Sequence, residues 1–174
     1  MTSQKSIYLE DIRSIKAGLI QLLDGMDYCL DWKPDSDSWS GREVIYHLVD
    51  TPAGGLHSLV QGMLSGQKTE FDLMPDQKNI TPDRLVLEFR EVKKDILEVL
   101  EGLEGAVSGA SEAELGEKTI TAHLLARGTT EQRTMQNLLQ GLFARHWRGH
   151  LSQIQELREA LGMQALANRD GKAN

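Results

Sequence analysis

Apolar residues recur every three to four positions through most of this chain, which is the period of one buried face of an α-helix. The pattern occupies residues 7–30, 40–66, 82–103 and 135–162. Aromatic residues make up only 5% of the chain, and aromatic and β-branched residues are the types that favour strands. Four amphipathic segments of this length therefore predict an all-α fold. With 174 residues, the chain has the length of one domain.

The segments between the periodic stretches predict where the helices are interrupted. Ser40 and Glu43 have the spacing of a capping box, so the second helix should begin there and should kink near Pro52. Residues 67–81 are polar and should form a long crossover that lets the second and third helices run in the same direction. Residues 112–133 include TITAHL, a run of β-type composition, so a small hairpin before the last helix is an additional expectation.

The charge of the chain limits its partners. A net charge of −7 should repel a phosphate backbone, so nucleic acid is not an expected partner. We find neither a signal peptide nor a run of about 20 apolar residues that could span a membrane. The expected location is the cytoplasm. The only cysteine, Cys29, allows no internal disulfide and is interpreted as a small buried side chain.

The most informative residues are His146 and His150, which lie four positions apart in the last predicted helix. Side chains at this spacing project from one helix face about a turn apart. Both fall on the apolar stripe of that helix, which should face the protein interior. Either histidine alone is best explained as a core residue satisfied by hydrogen bonds. Two neutral imidazoles side by side in the interior favour the alternative, a shared metal ion.

His47 is the natural third ligand, because it lies on the inward arc of the second predicted helix. Three histidines and an open position are typical of catalytic rather than structural zinc sites. This ligand set indicates Zn or Ni, with Fe, Co or Mn as alternatives. Asp50 and Gln153 are candidates to orient the ligand imidazoles, although Asp50 has an equal claim to be a solvated carboxylate. Trp39 is interpreted as a packing residue at the start of the second helix. We expect His57 to be exposed or at an interface, and His123 to be a solvated loop residue, with a place at the mouth of the site as the alternative.

Two blocks of the sequence resemble a known family. Residues 39–50 are WSGREVIYHLVD, and residues 146–154 are HWRGHLSQI. Their order and spacing resemble those of the DinB/YfiT-like superfamily. The resemblance implies a four-helix bundle over residues 1–162, followed by a tail at 163–174, and a metal site made by His47, His146 and His150. Many relatives have Arg-Gly directly after the last histidine, whereas Leu151 and Ser152 stand there in this chain.

The resemblance also implies a function. Characterised relatives include metal-dependent transferases that use low-molecular-weight thiols such as bacillithiol or mycothiol, and family members are often homodimers. We therefore expect a metal-dependent enzyme that transfers such a thiol to a small electrophilic molecule. Two alternatives stay open. One is a metal-dependent hydrolase with the same three histidines. The other is a non-catalytic bundle that binds a metal or a ligand or mediates dimerisation.

Overall fold

The computed structural model describes residues 2–163 of the chain. Residues 164–174, which make up nearly all of the expected tail, lie outside this range. The helices are α1 (Gln4–Leu23), α2 (Gly41–Val49), α3 (Leu56–Ser65), α4 (Pro82–Leu85), α5 (Phe89–Gly109), α6 (Glu112–Glu117), the π-helix Asn137–Arg145 and α7 (His146–Ala160). The strands are β1 (Glu70–Leu73), β2 (Thr119–Leu124) and β3 (Thr129–Thr134).

The all-α fold class is wrong, because the described residues also contain a three-stranded mixed sheet with the order β1-β2-β3. Strands β2 and β3 form an antiparallel pair in which Thr119 faces Thr134. They lie within the segment for which a hairpin was expected. Strand β1 pairs in parallel with β2, with Glu70 opposite Thr121. It was missed because its four residues form only one pair of half-buried positions in a polar stretch.

Two predicted helices are also divided. The second does not merely kink at Pro52 but ends at Val49, and α3 begins only at Leu56, after Gly54 and Gly55, which both have φ of 85°. The first helix ends at Leu23 instead of Leu30. Met26, Cys29 and Leu30 are nevertheless buried. The apolar spacing therefore predicted correctly that these residues are buried, although they lie in turns and not in a helix.

The long helices pack against one another around a common core. Helix α1 contacts α5 and α7, and α2 contacts the same two helices, while α3 packs along α5. The apolar face of α5 is fully enclosed by these contacts. Its buried residues are Val92, Ile96, Val99, Leu100, Leu103 and Val107. This arrangement brings the inner faces of α2 and α7 together. Among the described residues, no helix is both long and apolar enough to cross a membrane.

The helix expected over residues 135–162 changes its geometry part of the way along. Its first section, Asn137–Arg145, is a π-helix, and ordinary α-helix resumes at His146. π-Helical segments are rare and often occur at functional sites. The backbone N–H of His146 accordingly donates to the carbonyl of Gly141, five residues earlier. The change of geometry falls directly before the first of the two candidate ligands on this helix.

Candidate metal centre

His47 owes its position to a well-defined start of α2. The side chain of Ser40 accepts a hydrogen bond from the backbone N–H of Glu43, and the Glu43 carboxylate accepts one from the Ser40 N–H at 2.8 Å. This capping box confirms the predicted first turn. Seven of the nine residues of the helix are buried, so its orientation is strongly constrained. His47, in the last turn, has 3% of its surface exposed.

The imidazoles of His47, His146 and His150 meet between α2 and α7. The Nε2 atom of His146 lies 3.0 Å from Nε2 of His47 and 3.0 Å from Nε2 of His150. One nitrogen of each ring lies within 4.8 Å of the others, and the three residues could together hold a metal ion. Ninety-nine residues separate His47 from His146, so the convergence is a property of the tertiary fold.

The second nitrogen of each ring fixes which atom carries the proton. Nδ1 of His47 lies 2.6 Å from the carbonyl oxygen of Gln77. Nδ1 of His146 lies 3.2 Å from that of Leu142, and Nδ1 of His150 lies 2.8 Å from the amide oxygen of Gln153. A carbonyl oxygen only accepts, so each Nδ1 must be the N–H donor. In the neutral imidazoles all three Nε2 atoms are consequently unprotonated, and their lone pairs face one another.

This arrangement fits a bound cation. The Nε2 atom of His146 lies 3.0 Å from those of His47 and His150, and lone pairs at this distance repel unless a positive charge lies between them. Zinc binds histidine nitrogen at about 2.0–2.1 Å, which puts two ligand nitrogens about 2.9–3.4 Å apart for bond angles between 90° and the tetrahedral value. The observed separations of 3.0 Å lie in that interval. Carbonyl oxygens that accept from the far ring nitrogen are the usual outer partners of metal-bound histidines.

The surroundings also favour the neutral form of the histidines, which is the form that can bind a metal. Burial lowers the pKa of His47 below its ordinary value. Burial, and then repulsion from the other two histidines, lowers the pKa of His146 to about 4. Only a neutral imidazole has a lone pair to donate, so protons compete weakly for His146 at neutral pH. The negative charge of Asp76 opposes both shifts, which places this carboxylate in the electrostatic environment of the site.

Trp39, which was expected to serve packing alone, forms one wall of the centre. Its ring stacks on His150, with the ring centroids 6.1 Å apart and the planes 16° from parallel. It also meets the edge of His47 at 5.2 Å. Gln153, a candidate to orient an imidazole, accepts from Nδ1 of His150.

Asp50 is engaged elsewhere. Its carboxylate accepts from the backbone N–H of Gly54 at 2.7 Å and from Arg84 at 3.2 Å. The carbonyl of Gln77 takes the position beside His47 that Asp50 was expected to fill. No sequence signal could have identified Gln77, because every residue type supplies a backbone carbonyl. His123 lies on the sheet, 3.2 Å from Glu70.

His57 is half-buried rather than exposed, and it packs against Gly55 and Gly102, away from the other histidines. Burial lowers the pKa of His57. This histidine therefore has a packing role between α3 and α5.

One cavity opens directly at the three histidines. It has a volume of about 280 Å³ and is lined by His146 together with residues of β1, β3 and the π-helix. A second cavity, of about 340 Å³, is lined by Trp39 and Gln153, which contact His150, but by none of the three histidines. A third, of about 450 Å³, lies around Tyr28 and Val86 and is likewise lined by none of them.

Comparisons with known proteins agree with this fold. The sequence profile of the DinB superfamily matches residues 16–154, so the chain belongs to the DinB superfamily. A similar solved structure is YfiT from Bacillus subtilis, described as a probable metal-dependent hydrolase with an unusual four-helix bundle topology. It is 20% identical, with a TM-score of 0.68, over 92% of this chain and 89% of YfiT.

A DinB family member from Shewanella denitrificans is 17% identical, with a TM-score of 0.48, over 98% of this chain and 92% of that one. No match was found among curated proteins.

Proposed function

We propose that this protein is a divalent-metal-dependent enzyme in which His47, His146 and His150 hold the ion. One observation carries the proposal: all three Nε2 atoms converge while every Nδ1 is committed to a carbonyl oxygen. A histidine cluster that served only packing would share a proton between rings. Three ligands leave at least one coordination position open, which is the arrangement of a catalytic site.

The reaction that we propose is transfer of a low-molecular-weight thiol to a small electrophile. The cavity of about 280 Å³ lined by His146 supports it, because it offers an organic substrate space directly beside the cluster. A divalent ion held by these histidines favours the thiolate form of a thiol at neutral pH. In the transfer, the sulfur forms a bond to the electrophilic carbon, the leaving group departs with the bonding electrons, and the thiol proton passes to solvent.

The residues around the cluster have distinct roles in this reaction. The Gln77 carbonyl and the Gln153 amide keep the ligand rings in the tautomer that presents Nε2. Trp39 covers His150 and excludes water from that side of the centre.

Hydrolysis is the second candidate, and Asp76 is the observation that favours it. A hydrolase with the same three ligands would need a nearby carboxylate to accept a proton from water. YfiT, a structural relative, is described as a probable metal-dependent hydrolase. At 20% identity, that relative supports the fold and leaves the choice between water and thiol to experiment.

The metal is tested first. Protein purified without a metal-binding tag is incubated with zinc, nickel, iron, cobalt or manganese salts, desalted and measured by mass spectrometry. We expect close to one ion per chain in the wild type and in His123→Ala, which removes a histidine on the sheet. His47→Ala and His150→Ala should lose the ion. Equal metal content in all four proteins, or none in any, would contradict the proposed site.

The reaction is then tested on the metal-loaded protein. An aryl chloride electrophile is offered with and without cysteine, glutathione or bacillithiol, and an activated aryl ester is offered alone. Thiol transfer predicts release of chloride that depends on both the thiol and the metal. Ester hydrolysis without thiol would identify the second candidate. Metal binding that braces the fold but gives neither reaction would support the non-catalytic alternative, and chelation should then lower the unfolding temperature strongly.

A further inference from the structure

The cavity of about 280 Å³ beside His146 combines apolar walls with two arginines. Phe71 and Leu73 of β1 line one side, and Leu138 and Leu142 of the π-helix line the other. The remaining lining residues are His146, Arg133, Arg145, Asn137 and Gly141. Small-molecule sites have this composition, mostly apolar with a few polar groups that fix orientation. Because His146 belongs to the lining, a molecule bound there lies beside the candidate metal centre.

Arg133 has hydrogen-bonding capacity that the protein does not use. Its Nη2 atom forms an ion pair with Glu131 at 3.2 Å. Its Nε atom is buried and has no hydrogen-bond partner among the described residues. A buried N–H without an acceptor is destabilising, and such groups are rare in native proteins. An acceptor supplied by a ligand would satisfy it.

Arg145 adds a second guanidinium to the same cavity. Within residues 2–163, no carboxylate lies within 4.0 Å of it. Most other arginines in this range are paired with carboxylates, as Arg13, Arg42, Arg84 and Arg148 are. In a chain of net charge −7, carboxylates are plentiful. The cavity therefore has one guanidinium with an unused N–H and a second without a carboxylate partner, an arrangement that an anion from outside the chain would complete.

We infer that this cavity binds an apolar small molecule that carries an anionic group, a carboxylate or a phosphate, with Arg133 and Arg145 as its anchors. Arginine presents a planar fork of donors that matches both groups. The inference rests on the proposed function in that it names the substrate class for the same centre. The apolar part of the molecule occupies the space between β1 and the π-helix, and its anionic end is held by the arginines.

Three probes of similar shape test the inference: 3-phenylpropanoate, benzylphosphonate and the neutral 3-phenylpropanamide. Binding is measured by calorimetry or by ligand-detected NMR, in zinc-loaded and in chelator-treated protein. The variants are Arg133→Gln and Arg145→Gln, with Arg90→Gln as the matched control because the Arg90 side chain is 92% exposed and lines neither cavity beside the histidines. Arg145 is exposed, so the Arg145→Gln variant should fold even if the Arg133→Gln variant does not.

We expect at least one anion to bind more tightly than the amide, and each cavity variant to weaken that anion about tenfold, since a hydrogen bond to a charged group contributes about 1.5–3 kcal/mol. Amide binding should be the same in all variants. Preference for carboxylate or phosphonate identifies the anionic group. Equal binding of anion and amide, unchanged anion binding in both cavity variants, or no binding by about 10 mM would overturn the inference.

The two metal states separate this inference from the proposed function. Arginine-dependent anion binding that persists in protein unable to hold metal would support the anion site in the cavity and contradict the proposed metalloenzyme. Anion binding that appears only with zinc and ignores both arginines would mean that the anion binds the ion. That outcome would contradict the role of the two arginines and support the metal site.

Discussion

The carbonyl oxygen of Gln77 lies 2.6 Å from Nδ1 of His47, although thirty residues separate them in the chain. The loop that carries this carbonyl is fixed to the end of α2 by Asn79. The amide nitrogen of Asn79 donates to the carbonyl of Asp50 at 3.2 Å and to Thr51 Oγ1 at 3.3 Å. The backbone of Asn79 has a φ of 56°, a left-handed conformation that asparagine tolerates better than most residues.

Replacing Asn79 should therefore weaken metal binding without touching a ligand. In Asn79→Gly the anchoring hydrogen bonds are lost, so the Gln77 carbonyl is held less firmly and zinc affinity should fall about tenfold. Asn79→Ala should show the same loss and, in addition, lower stability, because alanine is strained at positive φ. Competition with a chelating dye measures the affinity. Wild-type affinity in both variants would show that Asn79 does not hold this loop for the site.

Gly102 of α5 should be intolerant of a side chain. A Cβ atom added there would lie 2.9 Å from Cδ2 and 3.1 Å from Cβ of His57. We expect Gly102→Ala to lower the free energy of unfolding by about 1–3 kcal/mol, the usual effect of overpacking. Gly105→Ala is the matched control, because nothing lies within 4 Å of an added Cβ there. It should raise the stability by about 0.5–1 kcal/mol, the helix preference for alanine.

The cause can be checked by a double replacement. If His57 is the obstacle, Gly102→Ala combined with His57→Ala should be less destabilised than the sum of the two single variants. Simple addition of the two effects in urea unfolding would point to a different obstacle.

The metal-free protein should lose stability as the pH falls from about 6.5 towards 4. The pKa of His146 is about 4 in the folded protein, below its ordinary value of 6.5. Between these values the unfolded chain binds more protons than the folded one, so acid favours unfolding. His146→Gln, which cannot titrate, should show a weaker pH dependence in urea unfolding than the wild type. The residual dependence in His146→Gln belongs in part to His47, whose pKa is also lowered.

Tyr46 should stabilise the fold through its hydroxyl group. The ring is completely buried, and the hydroxyl donates to Asp95 Oδ2 at 2.9 Å. Burial and the nearby Asp95 carboxylate raise the pKa of Tyr46 well above its ordinary value, so the hydroxyl keeps its proton. Tyr46→Phe should lower the free energy of unfolding by about 1–3 kcal/mol, with metal content unchanged. Tyr28→Phe, at a side chain that is 75% exposed, should have no effect; equal losses would refute this role.

The sequence predicted the buried faces better than the elements that carry them. His47 and the start of α2 were predictable because a capping box is a local signal with one geometry. Strand β1 was not predictable, because its extended conformation depends on pairing with β2, which lies about fifty residues away in the chain. The same holds for Gln77, whose contribution is a backbone atom, and for Asp50, which a distant arginine engages.

Other expectations stay predictions. These are the homodimer, the cytoplasmic location, the thiol and the division into residues 1–162 and 163–174. Binding of a metal by the three histidines is likewise a prediction, which the measurement of metal content tests. What the fold adds is a geometric reason to make that test first.

The π-helix Asn137–Arg145 makes the cluster depend on the length of its helix as well as on its histidines. The i→i+5 turns of this section hold more residues than the turns of an α-helix, so each residue adds less rotation about the helix axis. If the same number of residues formed an ordinary α-helix, His146 and His150 would be turned about the axis relative to Leu138 and Leu139. A relative with all three histidines but an α-helical stretch before the last two would therefore need a different number of residues here to direct them at His47.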